Sequence, residues 1–252
     1  MNRKHLSTTL TVAAAFGMAV ASADAALVHD DFNRPNSNTV GTTSDGNDTW
    51  TEFEGQADQL TIRNNQLRFT HYATNSSPGL ALTDLRLADG IIETQFDVIA
   101  SDTSYARRSV INYRASSLAN AAVHSSNNTF HVVVRGDWST TVDLELYYGD
   151  SRTAGNMLAS ANISDDTAHY ENPFSIRVSF IGNHHQVWID DELLIDYIDP
   201  QNRNAEGAIG LSTNFTTMDV DYFTVIPEPA SLALLGLGGL AMLGRRRNRA
   251  AQ

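Results

Sequence analysis

The sequence predicts an all-β body folded as a two-sheet antiparallel β-sandwich, and three observations carry that expectation. Apolar and polar residues alternate with period two from Leu27 to Val225, as they do in strands buried on one face. Clusters of turn formers, among them TTSDGND at Thr42–Asp48 and PQNRNAEG at Pro200–Gly207, interrupt the alternation at short intervals. No stretch keeps an amphipathic helical period for three turns, and no internal repeat points to a propeller or β-helix. Ten or more strands in about 200 residues need two packed sheets, since a single open sheet would leave faces unfilled and edges bare.

Taken in chain order, residues 1–25 come first. Arg3 and Lys4 precede an apolar stretch from Leu10 to Ala21, followed by the small residues Ala21-Ser22-Ala23 and Ala23-Asp24-Ala25. Those three zones are those of a secretory signal peptide, cleaved near Ala23 or Ala25, and the stretch falls short of the ~20 residues of a spanning helix. Export by the Sec machinery and removal by signal peptidase are therefore expected.

Residues 26–226 form the body. In FSIRVSF, Phe174, Ile176, Val178 and Phe180 share one face while Ser175, Arg177 and Ser179 share the other. VDLELYY sets Leu144, Leu146 and Tyr148 opposite Asp143, Glu145 and Tyr147. Similar runs occur at LRFTHY, IIETQFDV, SVINYRA, TFHVVVRG, HQVWID, LLIDYI and MDVDYFTV, with a hairpin turn expected at Asp190-Asp191. The succession from Arg177 to Val225, strand, turn, strand, turn, strand, long loop and two closing strands, resembles the C-terminal half of a concanavalin A-like jelly roll, the fold of legume lectins, laminin G-like domains and many β-glucanases. The opening DDFNRPNSNTVGTTSDGNDTWTEFEG with LTIRNNQLRFT is similar to the start of that fold, and the resemblance implies that the first strand pairs beside the last.

Residues 227–252 close the chain. Ala230 to Gly244 is 15 residues without a charge, short for an untilted crossing but long enough for a short transmembrane helix with snorkelling arginines and local thinning. Arg245, Arg246 and Arg247 would hold the C-terminus in the cytoplasm and leave the body outside. Pro227, Glu228 and Pro229 stop helix formation at the outer edge and present an extended segment. A Pro-Glu-Pro triplet, a short apolar helix and a terminal arginine cluster behind a signal peptide resemble the PEP-CTERM sorting signal of bacterial surface and matrix proteins. The resemblance implies recognition and cleavage by an exosortase.

Composition bounds the function. With 252 residues, 42% hydrophobic and 18% charged, the chain has material for one sizeable core. Residues 27–226 carry 11 basic against 27 acidic side chains, a charge of −16, and no lysine. So acidic a body repels phosphates, which excludes nucleic acid as a partner and leaves cations and neutral polymers. The absence of cysteine excludes disulfides and thiolate metal sites.

Few residues suggest chemistry. Relatives of the fold that hydrolyse β-glucans carry carboxylates spaced close to Glu-x-Asp-x-x-Glu on one strand, and Asp143-x-Glu145 is similar but lacks the third acid. The two carboxylates point the same way, as an acid and a nucleophile must, and also as any solvated acidic strand face would. His184 and His185 would face opposite ways on a strand, which works against joint metal ligation. Asp31 (or Asp30) near the start and Asp221 (or Asp219) near the end would approach if those strands pair, and would offer hard oxygen ligands for a structural calcium ion; with no dedicated loop motif, general surface acidity is the preferred explanation. Sugar binding needs aromatic faces for stacking. Trp138, in the turn RGDWST, is the leading candidate, with Tyr147, Tyr148 and Trp188 behind it; packing over a sheet end is the alternative for Trp138. The Arg135-Gly136-Asp137 triplet reads as a turn. The expectation is an exported, exosortase-sorted surface or matrix protein, membrane-anchored before processing, whose non-catalytic sandwich binds extracellular polysaccharide or serves structurally. A glycan-active enzyme on the same fold and a structural matrix protein without ligand are the alternatives.

Overall fold

A computed structural model describes residues 27–72, 77–101, 107–136, 142–164, 172–203 and 205–227. The signal segment, Trp138 and the tail from Glu228, with its expected helix and arginines, lie outside the described residues. The first strands are β1 (Val28–Asp30), β2 (Trp50–Phe53), β3 (Leu60–Arg63), β4 (Gln66–Phe69), β5 (Gly79–Leu87), β6 (Gly90–Ser101) and β7 (Arg107–Ala115). After a single helical turn, α1 (Leu118–Ala121), come β8 (Phe130–Gly136), β9 (Val142–Tyr148), β10 (Met157–Ser164), β11 (Phe174–Ile181), β12 (His184–Ile189), β13 (Glu192–Ile198), β14 (Gly207–Asn214) and β15 (Thr216–Pro227).

These strands make two antiparallel sheets, and the all-β sandwich expected from the alternation is the fold observed. One sheet runs β13-β12-β11-β6-β15-β4-β3, with β1 also on β15; the other runs β10-β9-β8-β7-β14-β5-β2. The first strand does lie beside the last, Val28 opposite Val225 and Asp30 opposite Phe223. Between the sheets the inward sets interlock: Phe69, Phe96, Phe180, Val220 and Phe223 from one, Leu80, Ile111, Tyr113, Val132, Leu144 and Leu211 from the other. Trp50 is buried there too, its ring 5.3 Å from that of Phe223.

Polar side chains bolt this core at two places. Asp30, fully buried, accepts both Arg34 guanidinium nitrogens at 2.8 and 3.0 Å and the Trp50 indole N–H at 2.8 Å. Arg68 donates in a two-pronged pair to Asp219 at 2.8 Å, tying β4 to β15. The turn at Asp190-Asp191 is a tight hairpin with φ of 47° and 66°, the left-handed conformation that Asp tolerates and two-residue hairpins require.

One connection departs from sheet geometry. After β7 the chain doubles back over the outer face of the seven-stranded sheet, through α1 and residues 122–129, before entering β8. It packs on Ala81, Ala115 and Ala208 through Ala121. Only glycine fits beneath it at two points: a Cβ on Gly210 would lie 2.5 Å from the Ala121 carbonyl oxygen, and one on Gly79 would lie closer still to that of Ala122. Asn112 holds the cap from below, donating to the Ala121 carbonyl at 2.7 Å. Consequently β14 is buried on both faces and does not alternate.

The last strand runs two residues further than the alternation suggests. Pro227 sits opposite Gly90 at the end of β6, so the first residue of the Pro-Glu-Pro triplet belongs to the sheet.

A polar row and a cationic cavity as candidate functional site

Next to the cap, strand register lines up polar side chains across the outer face of the seven-stranded sheet, with Asn214 buried, Arg108, Arg135 and Asp143 half-buried and Asn162 exposed. Asn214 on β14 stands opposite Arg108 on β7, Arg108 opposite Arg135 on β8, Arg135 opposite Asp143 on β9, and Asp143 opposite Asn162 on β10. Directly opposed residues on one face are within reach of each other, so five strands deliver a continuous hydrogen-bonding row. Beneath it Val110, Val133 and Tyr147 form a small apolar cluster on the same outer face.

Arg135 is the hinge of the electrostatics. One of its terminal nitrogens lies 3.2 Å from Asp143 and 3.2 Å from Glu145, so a single guanidinium serves both carboxylates. Glu145 is buried and also accepts the Tyr147 hydroxyl at 3.0 Å. Burial pushes the Glu145 pKa above the ordinary carboxylate range, with Arg135 and the Tyr147 hydroxyl pulling the other way. Burial and then the neighbouring Glu145 push Tyr147 up to about 12, so it remains a donor at neutral pH.

At the β14 end of the row opens a cavity of about 470 Å³. Arg108, Asn214, Phe215 and Ser77 line it, together with His124 from the returning chain and Arg152 from the loop between β9 and β10. Arg108 donates to Asn214 at 3.3 Å, while its Nε is buried without a partner, as is Nδ1 of His124. Burial, then the charges of Arg108 and Arg152, lowers the His124 pKa to about 3. Asp150 fixes Arg152 from outside the lining, with contacts of 2.7 to 3.2 Å. Phe215 adopts a φ of 56°, a strained conformation for an aromatic residue, and meets the His71 ring edge-on at 5.4 Å.

The expected site residues separate. Asp143, Glu145 and Tyr147 are brought together, but Tyr147 is buried and presents its hydroxyl to Glu145 rather than a ring face to solvent. Tyr148 lies on the other side of β9, where the Arg203 guanidinium covers its ring at 4.2 Å in a separate cavity of about 340 Å³. Trp188 is on the outer face of the other sheet, with the Arg177 guanidinium 5.0 Å from its ring centre. Arg135 and Gly136 are strand residues of β8 rather than part of a turn. His184 pairs with Asp196 while His185 turns inward to the Tyr113 hydroxyl at 2.8 Å, so the two do face opposite ways. Asp31 accepts from Asn33 and lies by Ser44, Asp221 is exposed, and Asp30 and Asp219 are taken by arginines. No group of three or more potential metal ligands forms among the described residues.

Sequence reading missed Arg108, His124 and Arg152. Arg108 carried a signal, directly preceding the SVINYRA run at an outward position of the same strand; His124 and Arg152 sit in two different loops, and only the folded chain brings them to the same cavity.

Comparison with known proteins agrees with these observations. Residues 225–247 match the PEP-CTERM protein-sorting motif, which marks an exported protein sorted to the cell envelope. No curated protein matches the chain in sequence. Among solved structures, the catalytic domain of an endo-1,3-β-glucanase (laminarinase) from Thermotoga petrophila RKU-1 superposes with a TM-score of 0.57 at 10% identity, over 81% of this chain and 98% of that one. The endo-β-1,3-glucanase of Pyrococcus furiosus gives 0.56 at 11%, over 80% and 94%. The Emp47p carbohydrate recognition domain gives 0.54 at 17%, over 82% and 96%. At these identities the likeness is one of fold, the concanavalin A-like jelly roll.

Proposed function

We propose that the sandwich is a non-catalytic glycan-binding module of an exosortase-processed protein, and that the polar row on the seven-stranded sheet is its binding face. The observation that carries this reading is Arg135 bridging Asp143 and Glu145. A carboxylate that must deliver a proton or attack a sugar carbon needs freedom from a fixed cation, whereas a neutralised carboxylate and a guanidinium side by side are good partners for sugar hydroxyls. The relatives in fold include both glucanase catalytic domains and a carbohydrate recognition domain, which agrees with a sugar as the partner class.

Trp138 belongs to the five residues that join paired Gly136 and Val142, between Arg135 and Asp143 in the chain, and in this reading supplies the stacking face. Tyr148 and Trp188, each already covered by a guanidinium, serve packing. Export by the Sec route, signal peptidase cleavage and transient anchoring by the apolar tail complete the reading. One observation favours the enzyme alternative: Glu145 is a buried carboxylate with a raised pKa, the property of a general acid.

A panel of β-glucans and acidic glycans, assayed for both retention and hydrolysis, decides. Retention without reducing-end release supports a binding module; release that Glu145→Gln abolishes makes it an enzyme. Neither retention nor release leaves a structural role in the matrix.

A further inference from the structure

We propose that the cavity between Arg108, His124 and Arg152 receives an anionic group carried on a sugar, so that the module selects acidic over neutral glycans; this rests on the glycan-binding reading above. In a body of charge −16, the cavity lining holds two guanidiniums and an imidazole and no carboxylate. Two of those cationic or donor groups are incompletely used: Nε of Arg108 and Nδ1 of His124 are buried and unpartnered. Both atoms belong to residues that line the cavity, so the Arg108 guanidinium and the His124 ring there keep hydrogen-bonding capacity that no protein group takes up.

The remaining lining suits a sugar. Phe215 offers an apolar ring, and Asn214 and Ser77, joined to each other at 2.7 Å, offer amide and hydroxyl groups for ring oxygens. A volume of about 470 Å³ has room for one or two sugar residues, and the polar row continues from Arg108 through Arg135 to Asn162. An acidic polysaccharide would then lie along the row with one carboxylate or sulfate ester seated against Arg108 and Arg152. Planar two-pronged recognition by guanidinium favours those groups over a hydroxyl.

The test uses the full chain in detergent and measures affinity for polygalacturonate, dextran sulfate and neutral laminarin. The expected result is binding of at least one acidic polymer about tenfold or more tighter than laminarin, with Arg152→Ala lowering acidic binding by about tenfold while laminarin is unaffected, and Arg108→Gln, a row residue, lowering acidic binding by about tenfold and more than it lowers laminarin binding. Arg152 is exposed, so its removal leaves the fold intact and stands in should Arg108→Gln fail to fold. The two acidic polymers separate carboxylate from sulfate as the preferred group. Equal affinity for all three polymers overturns the selection while leaving glycan binding in place. Acidic binding that both variants leave unchanged overturns the assignment to this cavity, and binding of no polymer overturns the inference together with the reading beneath it.

Discussion

Gly79 lies directly beneath Ala122: a Cβ built on the glycine would stand 1.8 Å from the Ala122 carbonyl oxygen. Since no real Cβ approaches backbone so closely, Gly79→Ala must lift the returning chain or shift β5. We expect a stability loss of about 1–3 kcal/mol in urea titration, the usual cost of overpacking, together with altered His124 resonances. Gly155, with open space around its missing Cβ and no positive φ, is the control, and its replacement by Ala should leave the urea midpoint unchanged or slightly raised.

Asp30 is the single acceptor for Arg34 and the Trp50 indole, all at the junction of β1 and β2. Asp30→Ala strands a guanidinium and an indole N–H in the core and should cost about 3 kcal/mol or more. A calorimetric melt unchanged by this replacement would show that the junction contributes nothing.

Glu145 makes stability depend on pH in a specific direction. Its pKa is raised in the folded protein, so its contribution is fully present below the ordinary carboxylate pKa and is lost as pH rises through the raised value. Glu145→Gln should therefore be at least as stable as the parent at pH 7 and should flatten the pH profile above about pH 4.5. A variant clearly less stable at pH 7 would mean that the ion pair with Arg135 outweighs the cost of burial.

Three histidines act in the opposite sense. Burial lowers His124 and His185 to about 3 and His131 to about 4. Their stabilisation is complete above the unfolded value near 6.5 and is lost as pH falls towards the folded values, because the unfolded chain takes up protons that the folded one refuses. At pH 5 each should account for about 2 kcal/mol of lost stability relative to pH 7. Chemical denaturation at the two pH values, with imidazole titration followed by NMR, checks both the loss and its source.

Strands that are buried on one face were readable as alternation. VDLELYY is β9 residue for residue, and the Asp190-Asp191 hairpin falls where its two Asp residues place it. The strands that escaped have a physical reason. β5, with Gly79, Leu80 and Ala81, is covered on both faces at its start, so small residues replace the polar half of the pattern; β14 is covered likewise and was readable only as one of the two strands closing the jelly-roll succession. β10 is a sheet edge of Ala, Ser and Asn with little apolar contrast. The site was half legible for a related reason. Asp143 and Glu145 shared a face by spacing alone, but Arg135 and Arg108 join them only through cross-strand register, and His124 and Arg152 only through the fold of two loops.

The pairing of Pro227 with Gly90 sets how the body stands on whatever holds its tail. Leu27 donates its N–H to Val225 at the same end of the sandwich, so both ends of the described body leave from one pole. Arg114 belongs to that pole too, bonded to the carbonyls of Ala88 and Gly182, and Arg108 lies six residues along β7, a rise of about 20 Å. The described body therefore hands over to the tail from a paired strand end, not from a loop. In the proposed reading, each molecule held by its tail would carry the Arg108 end of its polar row about that distance from the pole of attachment. Many copies sorted to one surface would then meet a polysaccharide strand together, and avidity from several weak sites would exceed the affinity of any single cavity.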